Sequence, residues 1–300
     1  TLKGVSFFFR MTNSQQQLLP HLSANPEFSQ PKPRRNEILS FIREGLRDLS
    51  ISRTTFSWGI PVPDNEKHVI YVWFDALTNY ISALGFPNDS EGNFEKFWPC
   101  NVHVIGKDIL RFHTVYWPTF LMAAGIPLPE KVFAHGWWTV EGQKMSKSMA
   151  NVVEPNMLID KYGVDAIRYF LLRDMVFGLD ANFTEEALIT RINADLANNL
   201  GNLVSRTLHM TERYAEGAVP KPGEPGDLER EVQAAAPEVA ARVDQFIQGY
   251  EFHRALEAIF EFLDRVNRYL ETRAPWKAAK DPANADQVAT TLYTSCEALR

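Results

Sequence analysis

Asn101-Val102-His103-Val104-Ile105-Gly106-Lys107-Asp108 is a β-branched run that stops at a glycine and two charges. An apolar, helix-periodic segment from residue 109 to about 124 follows. The succession reads as strand, turn and helix. Residues 68–74, His-Val-Ile-Tyr-Val-Trp-Phe, are a second such run. They read as a buried parallel strand ending at Asp75, with a helix following through Tyr80 to Leu84. Residues 131–136 give a third strand. This βαβαβ alternation predicts an α/β sheet domain. Ligands of such sheets bind at the carboxyl ends of the strands, where Asp75, Gly106-Lys107-Asp108 and His135 fall.

Working outward, residues 15–24 read as a short helix, broken by Asn25-Pro26 and by Gln30-Pro31-Lys32-Pro33. Residues 34–46 read as an amphipathic helix with Ile38, Leu39, Ile42 and Leu46 on one side. Residues 48–55 are extended, and residues 59–63 form a turn-rich connector. Beyond residue 148 the pattern is helical. Pro155 suits the first position of a helix that Gly163 ends, and 164–173 is another. Thr184 is a fitting N-cap, with Phe183 placed to staple onto Leu188. Leu188, Ile192, Leu196, Leu200 and Leu203 form the stripe of one long helix reaching about Tyr214. A Gly- and Pro-rich loop covers 217–227. Helices over about 229–248 and 251–272 follow, then the break Ala274-Pro275-Trp276 and a last helix from about Asp286 that is still running at Arg300. This half predicts an all-α bundle.

Three hundred residues suggest about two domains, and 45% apolar with 23% charged residues is a globular composition. No apolar run is long enough for a membrane-spanning helix. Cys100 and Cys296 form neither a zinc spacing nor a disulfide framework, which points to a reducing compartment such as the cytoplasm. The net charge of −6 means that any contact with nucleic acid must come from locally gathered cations.

Gly142-Gln143-Lys144-Met145-Ser146-Lys147-Ser148 is the most specific chemical signal. Two lysines and two hydroxyls on a mobile loop entered through glycine make a polyphosphate-handling device: ammonium groups offset charge, while hydroxyls and backbone N–H groups donate hydrogen bonds. Trp73 and Tyr80, beside Asp75, can wall an apolar pocket. Ile109, His113 and Trp117 share one helical face. On spacing alone, plain core packing is the better reading of these aromatics and of His113. Gly106 lets a nucleotide approach the backbone, and Asp108 either accepts from ribose hydroxyls or caps its helix. Asn202 and Arg206 stand one helical turn apart and can read base edges or phosphate. Trp276 offers a stacking face for an unpaired base. Ordinary bundle structure is the competing reading of these three.

Taken together and in this order, the motifs resemble those of bacterial-type methionyl-tRNA synthetases, over nearly the whole chain. Lys144-Met145-Ser146-Lys147-Ser148 resembles the second signature of class I aminoacyl-tRNA synthetases in general. Arg34-Arg35-Asn36-Glu37, Asp48-Leu49-Ser50-Ile51-Ser52-Arg53, residues 71–77, Gly106-Lys107-Asp108-Ile109 with Phe112-His113, and Ala274-Pro275-Trp276 narrow the resemblance to methionine. The resemblance implies the carboxyl-terminal half of a Rossmann-type nucleotide-binding fold, a connecting domain with the lysine loop, and an α-helical anticodon-binding bundle. The implied divisions are residues 1–60 (tail of an inserted domain), 61–135, 136–182 and 183–300, the last truncated at its C-terminus. It implies methionine-binding roles for Trp73, Ala76, Leu77, Tyr80, Ile109, His113 and Trp117. ATP, carried with Mg²⁺ as substrate, falls to Gly106, Lys107, Asp108, His135 and Lys144 through Ser148. Arg53, Lys144 and Lys147 stabilise the transition state as pyrophosphate leaves. Asn202, Arg206 and Trp276 read the anticodon of tRNA(Met). No metal site is implied within this stretch, and no membrane partner.

One departure is large. The family's first signature, of the form His-x-Gly-His, has no match, since His135-Gly136 does not fit it. The chain therefore reads as a fragment that cannot adenylate methionine alone. Two other readings stay open: a non-catalytic tRNA-binding module, and a class I synthetase for another amino acid.

Overall fold

The computed structural model describes residues 5–146 and 151–300. The chain divides into two compact units, residues 1–136 and residues 137–300.

In the first unit, β1 (Phe8–Phe9) leads into α1 (Gln15–Ala24), β2 (Ser29–Gln30) and α2 (Lys32–Arg43). Then follow β3 (Leu49–Ser50), β4 (Ser52–Arg53), β5 (Pro61–Val62), β6 (Asn65–Ile70) and α3 (Val72–Ser82). The short α4 (Asn93–Phe97) precedes β7 (His103–Gly106). A 3-10 turn (Lys107–Ile109), a π-helical turn (Phe112–Tyr116), α5 (Trp117–Ala124) and β8 (Val132–His135) complete the unit. The sheet is parallel, in the order β2-β8-β7. Leu18, Leu22, Ile38 and Ile42 from the first two helices pack with Ile105, Val132 and Ala134 of its strands. Each buried Leu, Ile or Val among them contributes roughly 1.5–3 kcal/mol.

The strands expected at 101–106 and 131–136 are present, but residues 68–74 differ from expectation. The strand ends at Ile70 and pairs antiparallel with β4 and β5, outside the parallel sheet. Tyr71 is the N-cap of α3, so Val72, Trp73, Phe74 and Asp75 are helical. A short apolar run suits strand and helix alike. Here the i, i+4 spacing of Trp73 and Leu77 decides, because it turns both toward one aromatic cluster.

The second unit begins with a small sheet, β10-β9-β11, made of β9 (Trp138–Val140), β10 (Gln143–Lys144) and β11 (Ala181–Asn182). The purely helical pattern expected after the lysine segment is thus interrupted once. Between those strands lie α6 (Pro155–Tyr162) and α7 (Val164–Arg173). Thr184 caps α8 (Glu185–Arg191) through its hydroxyl, which accepts from the Ala187 N–H at 3.1 Å. Phe183 packs in the cluster around Leu188.

The long helix expected from Thr184 to Tyr214 is not α-helical throughout. Residues Ile192–Gly201 are wound as π-helix before α9 (Asn202–Ala215) resumes. Gly201 permits this: a β-carbon there would lie 2.9 Å from the Leu196 carbonyl oxygen. The bundle adds α10 (Asp227–Gln248), α11 (Phe252–Arg273), α12 (Pro275–Ala278) and α13 (Ala285–Leu299). Leu203, Val232, Val266, Leu270 and Leu292 lie in its core. Glu229 fastens α10 to α11. It accepts from the Arg273 guanidinium, from Tyr269 at 2.8 Å and from the Gly226 N–H at 2.9 Å. Those donors hold its carboxyl below the ordinary range against the opposing effect of burial. Ala274, at φ +43°, ends α11, and Pro275 opens the next turn.

Candidate active site and nucleic-acid groove

Strand β7, the turns after it and α3 bring aromatic rings and two histidines together. Trp73 stacks on Phe112 at 4.0 Å between centroids. The π-turn that carries Phe112 and His113 buries His113 to 2% exposure. His113 Nδ1 lies 3.0 Å from the Ile109 carbonyl. A carbonyl only accepts, so Nδ1 carries the proton, and neutral Nε2 is left as an acceptor. Tyr80 Oη stands 3.0 Å from that Nε2 and donates to it. Burial lowers the His113 pKa and favours this neutral form.

Trp117, 2% exposed, and Leu77, 1% exposed, are core residues behind this arrangement. Ala76 is on the exposed side of α3.

Sequence reasoning passed over His103. It is buried in β7 and receives the Trp117 indole N–H on Nε2 at 3.3 Å. Tyr80 packs on its ring at 4.2 Å. Burial, with a smaller contribution from His113, lowers its pKa to about 4. The strand alternation that points Ile105 inward also points His103 inward, and that signal was legible. Near it, burial pushes the Cys100 thiol up to about 11, so this cysteine is no thiolate at neutral pH.

At the end of β7, Gly106 is the N-cap of the 3-10 turn, with an ordinary φ of −69°. Its smallness is what matters: a β-carbon there would lie 2.7 Å from Asp108 Oδ1. Asp108 sits inside the turn and is not the cap residue. His135 ends β8, with Nδ1 donating to the Gly136 carbonyl at 2.7 Å. Arg53 lies on β4 and lines an open cleft of about 810 Å³ with Tyr71, Asp75 and Trp58. Its guanidinium lies over the Tyr71 ring at 4.1 Å and donates to the Ser50 and Ser52 carbonyls.

In the second unit, Lys144 belongs to strand β10, so it is not on a free loop. Its ammonium lies 4.0 Å from the Trp137 ring centroid. Gly142, at φ +73°, makes the turn into that strand, and its N–H donates to Asn182 Oδ1 at 2.9 Å. Asn151 clamps the segment. Its Oδ1 accepts from the Ser146 N–H at 2.8 Å, and its Nδ2 donates to the Lys144 carbonyl at 3.3 Å. Met145 lies between those clamped positions. Lys147 and Ser148 fall outside the described residues. The roles of Asn151 and Asn182 come from tertiary placement, and no local signal marked them.

The helical half carries a polar groove of about 440 Å³. Asn198, Asn202, Arg206, Asn267 and Arg268 are among its lining residues. Arg206 faces Glu271 at 3.5 Å and the Trp276 ring at 5.6 Å, so two of the three expected readers meet directly. Asn202 Nδ2 donates to the Asn198 carbonyl at 3.0 Å. An amide chain that sequence reasoning missed runs beside them. Asn199 donates to Asp264 at 2.8 Å and accepts from Asn267 at 3.1 Å. Among the described residues, no group of three or more His, Cys, Asp or Glu is placed to hold a metal ion, and no helix is long and apolar enough to cross a membrane.

The first unit thus carries an aromatic cluster with two buried histidines beside a strand-end glycine turn, and the second a sheet-mounted lysine segment. The chain matches the family described as tRNA synthetases class I (M) over residues 2–208, and it belongs to that family. A methionine–tRNA ligase from Caldanaerobacter subterraneus is 50% identical over 98% of this chain and 46% of its own length. One from Oceanobacillus iheyensis is 47% identical over 99% and 45%. The crystal structure of Mycobacterium tuberculosis methionyl-tRNA synthetase bound by methionyl-adenylate matches with a TM-score of 0.94 and 48% identity. That match covers 98% of this chain and 58% of the solved one. The chain thus spans about half the length of the curated relatives it matches.

Proposed function

We propose that the protein carrying this chain is a methionine–tRNA ligase. It activates methionine with Mg²⁺-bound ATP and transfers it to tRNA(Met). The observation that carries this reading is the cluster of Trp73, Tyr80 and His113, with the Ile109 carbonyl fixing the His113 ring and Trp117 behind it. Its rings are apolar and polarizable, and its one facing histidine is neutral, which suits a thioether side chain. The names of the relatives and the adenylate in a solved one support the same choice.

The proposed division of labour follows the chemistry of each group. Gly106, Lys107, Asp108 and His135 serve the nucleotide. Arg53, which donates to the Ser50 and Ser52 carbonyls and to the Ser50 hydroxyl, offers its guanidinium to a phosphate. Lys144 and Lys147 stabilise charge on the departing pyrophosphate, with Met145, Ser146 and Ser148 shaping the segment. The methionine carboxylate attacks the α-phosphate of ATP, forming the mixed anhydride and releasing pyrophosphate. Positioning and electrostatics accelerate this step without a protein nucleophile. Asn202, Arg206 and Trp276 read anticodon bases. Four functional segments, 1–60, 61–135, 136–182 and 183–300, and a cytoplasmic location complete the proposal.

The test is methionine-dependent ATP–pyrophosphate exchange by the full-length protein. Lys144→Ala is expected to lower kcat about 10²–10³-fold, the usual cost of losing one transition-state charge contact. Exchange driven by another amino acid would overturn the choice of substrate. Retained tRNA binding without any exchange would favour a non-catalytic module. The 300-residue chain by itself is expected to give no exchange; exchange by it that Lys147→Ala abolishes would refute that expectation.

A further inference from the structure

We propose that His103 is a positioning residue for amino-acid recognition: as a neutral acceptor it holds the Trp117 indole and the Tyr80 ring in place, which aims the Tyr80 hydroxyl at His113. This rests on the reading of the slot as the methionine site.

His103 sits at the meeting point of four rings. Tyr80 is at 4.2 Å, His113 at 5.8 Å, Trp98 at 6.0 Å, and the Trp117 indole nitrogen is 3.3 Å from Nε2. Since the indole only donates, Nε2 is unprotonated and the ring proton is on Nδ1. Cys100 Sγ lies alongside the ring, 3.6 Å from Nε2 and 3.8 Å from Nδ1, and adds only a weak contact. Protonating His103 would set two N–H donors against each other at Nε2 and place a cation among aromatic side chains.

An aliphatic side chain at this buried position would leave the Trp117 indole N–H without its acceptor. The histidine therefore supplies a directional contact that apolar packing does not. Aromatic walls have few directional bonds to fix them. Here two hydrogen bonds between rings, Tyr80 to His113 and Trp117 to His103, form a chain. The tilted Tyr80–His103 ring contact links them. A thioether offers only weak acceptor capacity, so discrimination against a hydrocarbon side chain depends on wall placement.

The experiment uses the full-length protein with His103→Phe, His103→Gln and Trp117→Phe. Exchange is measured with methionine and with norleucine, which replaces sulfur by methylene. His103→Phe is expected to raise KM for methionine about ten-fold and to weaken discrimination against norleucine, while KM for ATP and kcat stay within about two-fold. His103→Gln, whose amide oxygen can accept from the indole, is expected to restore most of the loss. Trp117→Phe should shift KM in the same direction, and the double variant should be no worse than the poorer single one.

A readout independent of activity is the imidazole ¹⁵N spectrum of the wild type, expected to show neutral His103 protonated on Nδ1 down to about pH 5. An Nε2–H tautomer, or an unchanged methionine KM in His103→Phe, would overturn the proposal and leave the proposed function standing. A wild type that activates no methionine would overturn both.

Discussion

The slot around His113 and the groove around Arg206 handle polar groups in opposite ways. In the slot His113, His103 and Trp117 are buried and neutral, and the Tyr80 hydroxyl donates to His113 from the edge. In the groove charged side chains stand among amides and are open to solvent, as Arg206 and Glu271 are. Arg206 divides itself between Glu271 and Trp276 at distances long enough to be remade. A buried neutral network keeps its geometry at any salt concentration, because ions do not reach it. An exposed pair such as Arg206–Glu271 contributes little to stability, and its partner is cheaply exchanged for a phosphate or a base. The first arrangement suits a small ligand of fixed shape; the second suits a large, charged ligand that must come and go.

The contrast can be broken most sharply at the groove. Arg206→Ala is expected to lower kcat/KM for tRNA in aminoacylation by up to about 100-fold, with methionine-dependent exchange unchanged. Loss of both together would show that the two regions are not separate in function. Next in size, His113→Phe leaves the Tyr80 hydroxyl without its acceptor. It is expected to raise KM for methionine by about 10–30-fold and to leave tRNA affinity alone, as equilibrium binding would check. Raising salt from about 50 to 200 mM is expected to weaken tRNA binding roughly ten-fold while KM for methionine moves less than two-fold.

The smallest effect is on stability against pH. The folded pKa of His103 lies near 4, below its ordinary 6.5, so the unfolded chain binds more protons between those values. Stability from this residue is complete above about pH 6.5 and falls as the pH drops toward 4. Relative to His103→Gln, the wild type is expected to lose about 1 kcal/mol between pH 7 and pH 5.5, measurable in paired denaturation curves.

What the sequence revealed follows the range of the interactions involved. The Thr184 cap, the limits of α7 and the break at Ala274-Pro275 depend on neighbours within four residues, and they were legible. The strand ending at Ile70 was misread because its terminus is set by pairing with β4 and β5. Asn151 and Asn182 gave no signal, since an asparagine announces nothing until the backbone groups it will clamp have come near. His113 was singled out on helical spacing. Its partners, and the tautomer they impose, needed coordinates.

The π-wound stretch Ile192–Gly201 sets the angular position of everything after it. Each residue of an α-helix advances the side-chain direction by about 100°. A π turn holds about one residue more than an α turn, so rewinding this stretch to α-helix at constant length would swing Asn202 and Arg206 by at least about a quarter-turn around the helix axis. The composition of the groove would be unchanged, yet its two leading side chains would face elsewhere. The winding of residues 192–201 is thus as much a determinant of the groove as the identity of any residue lining it.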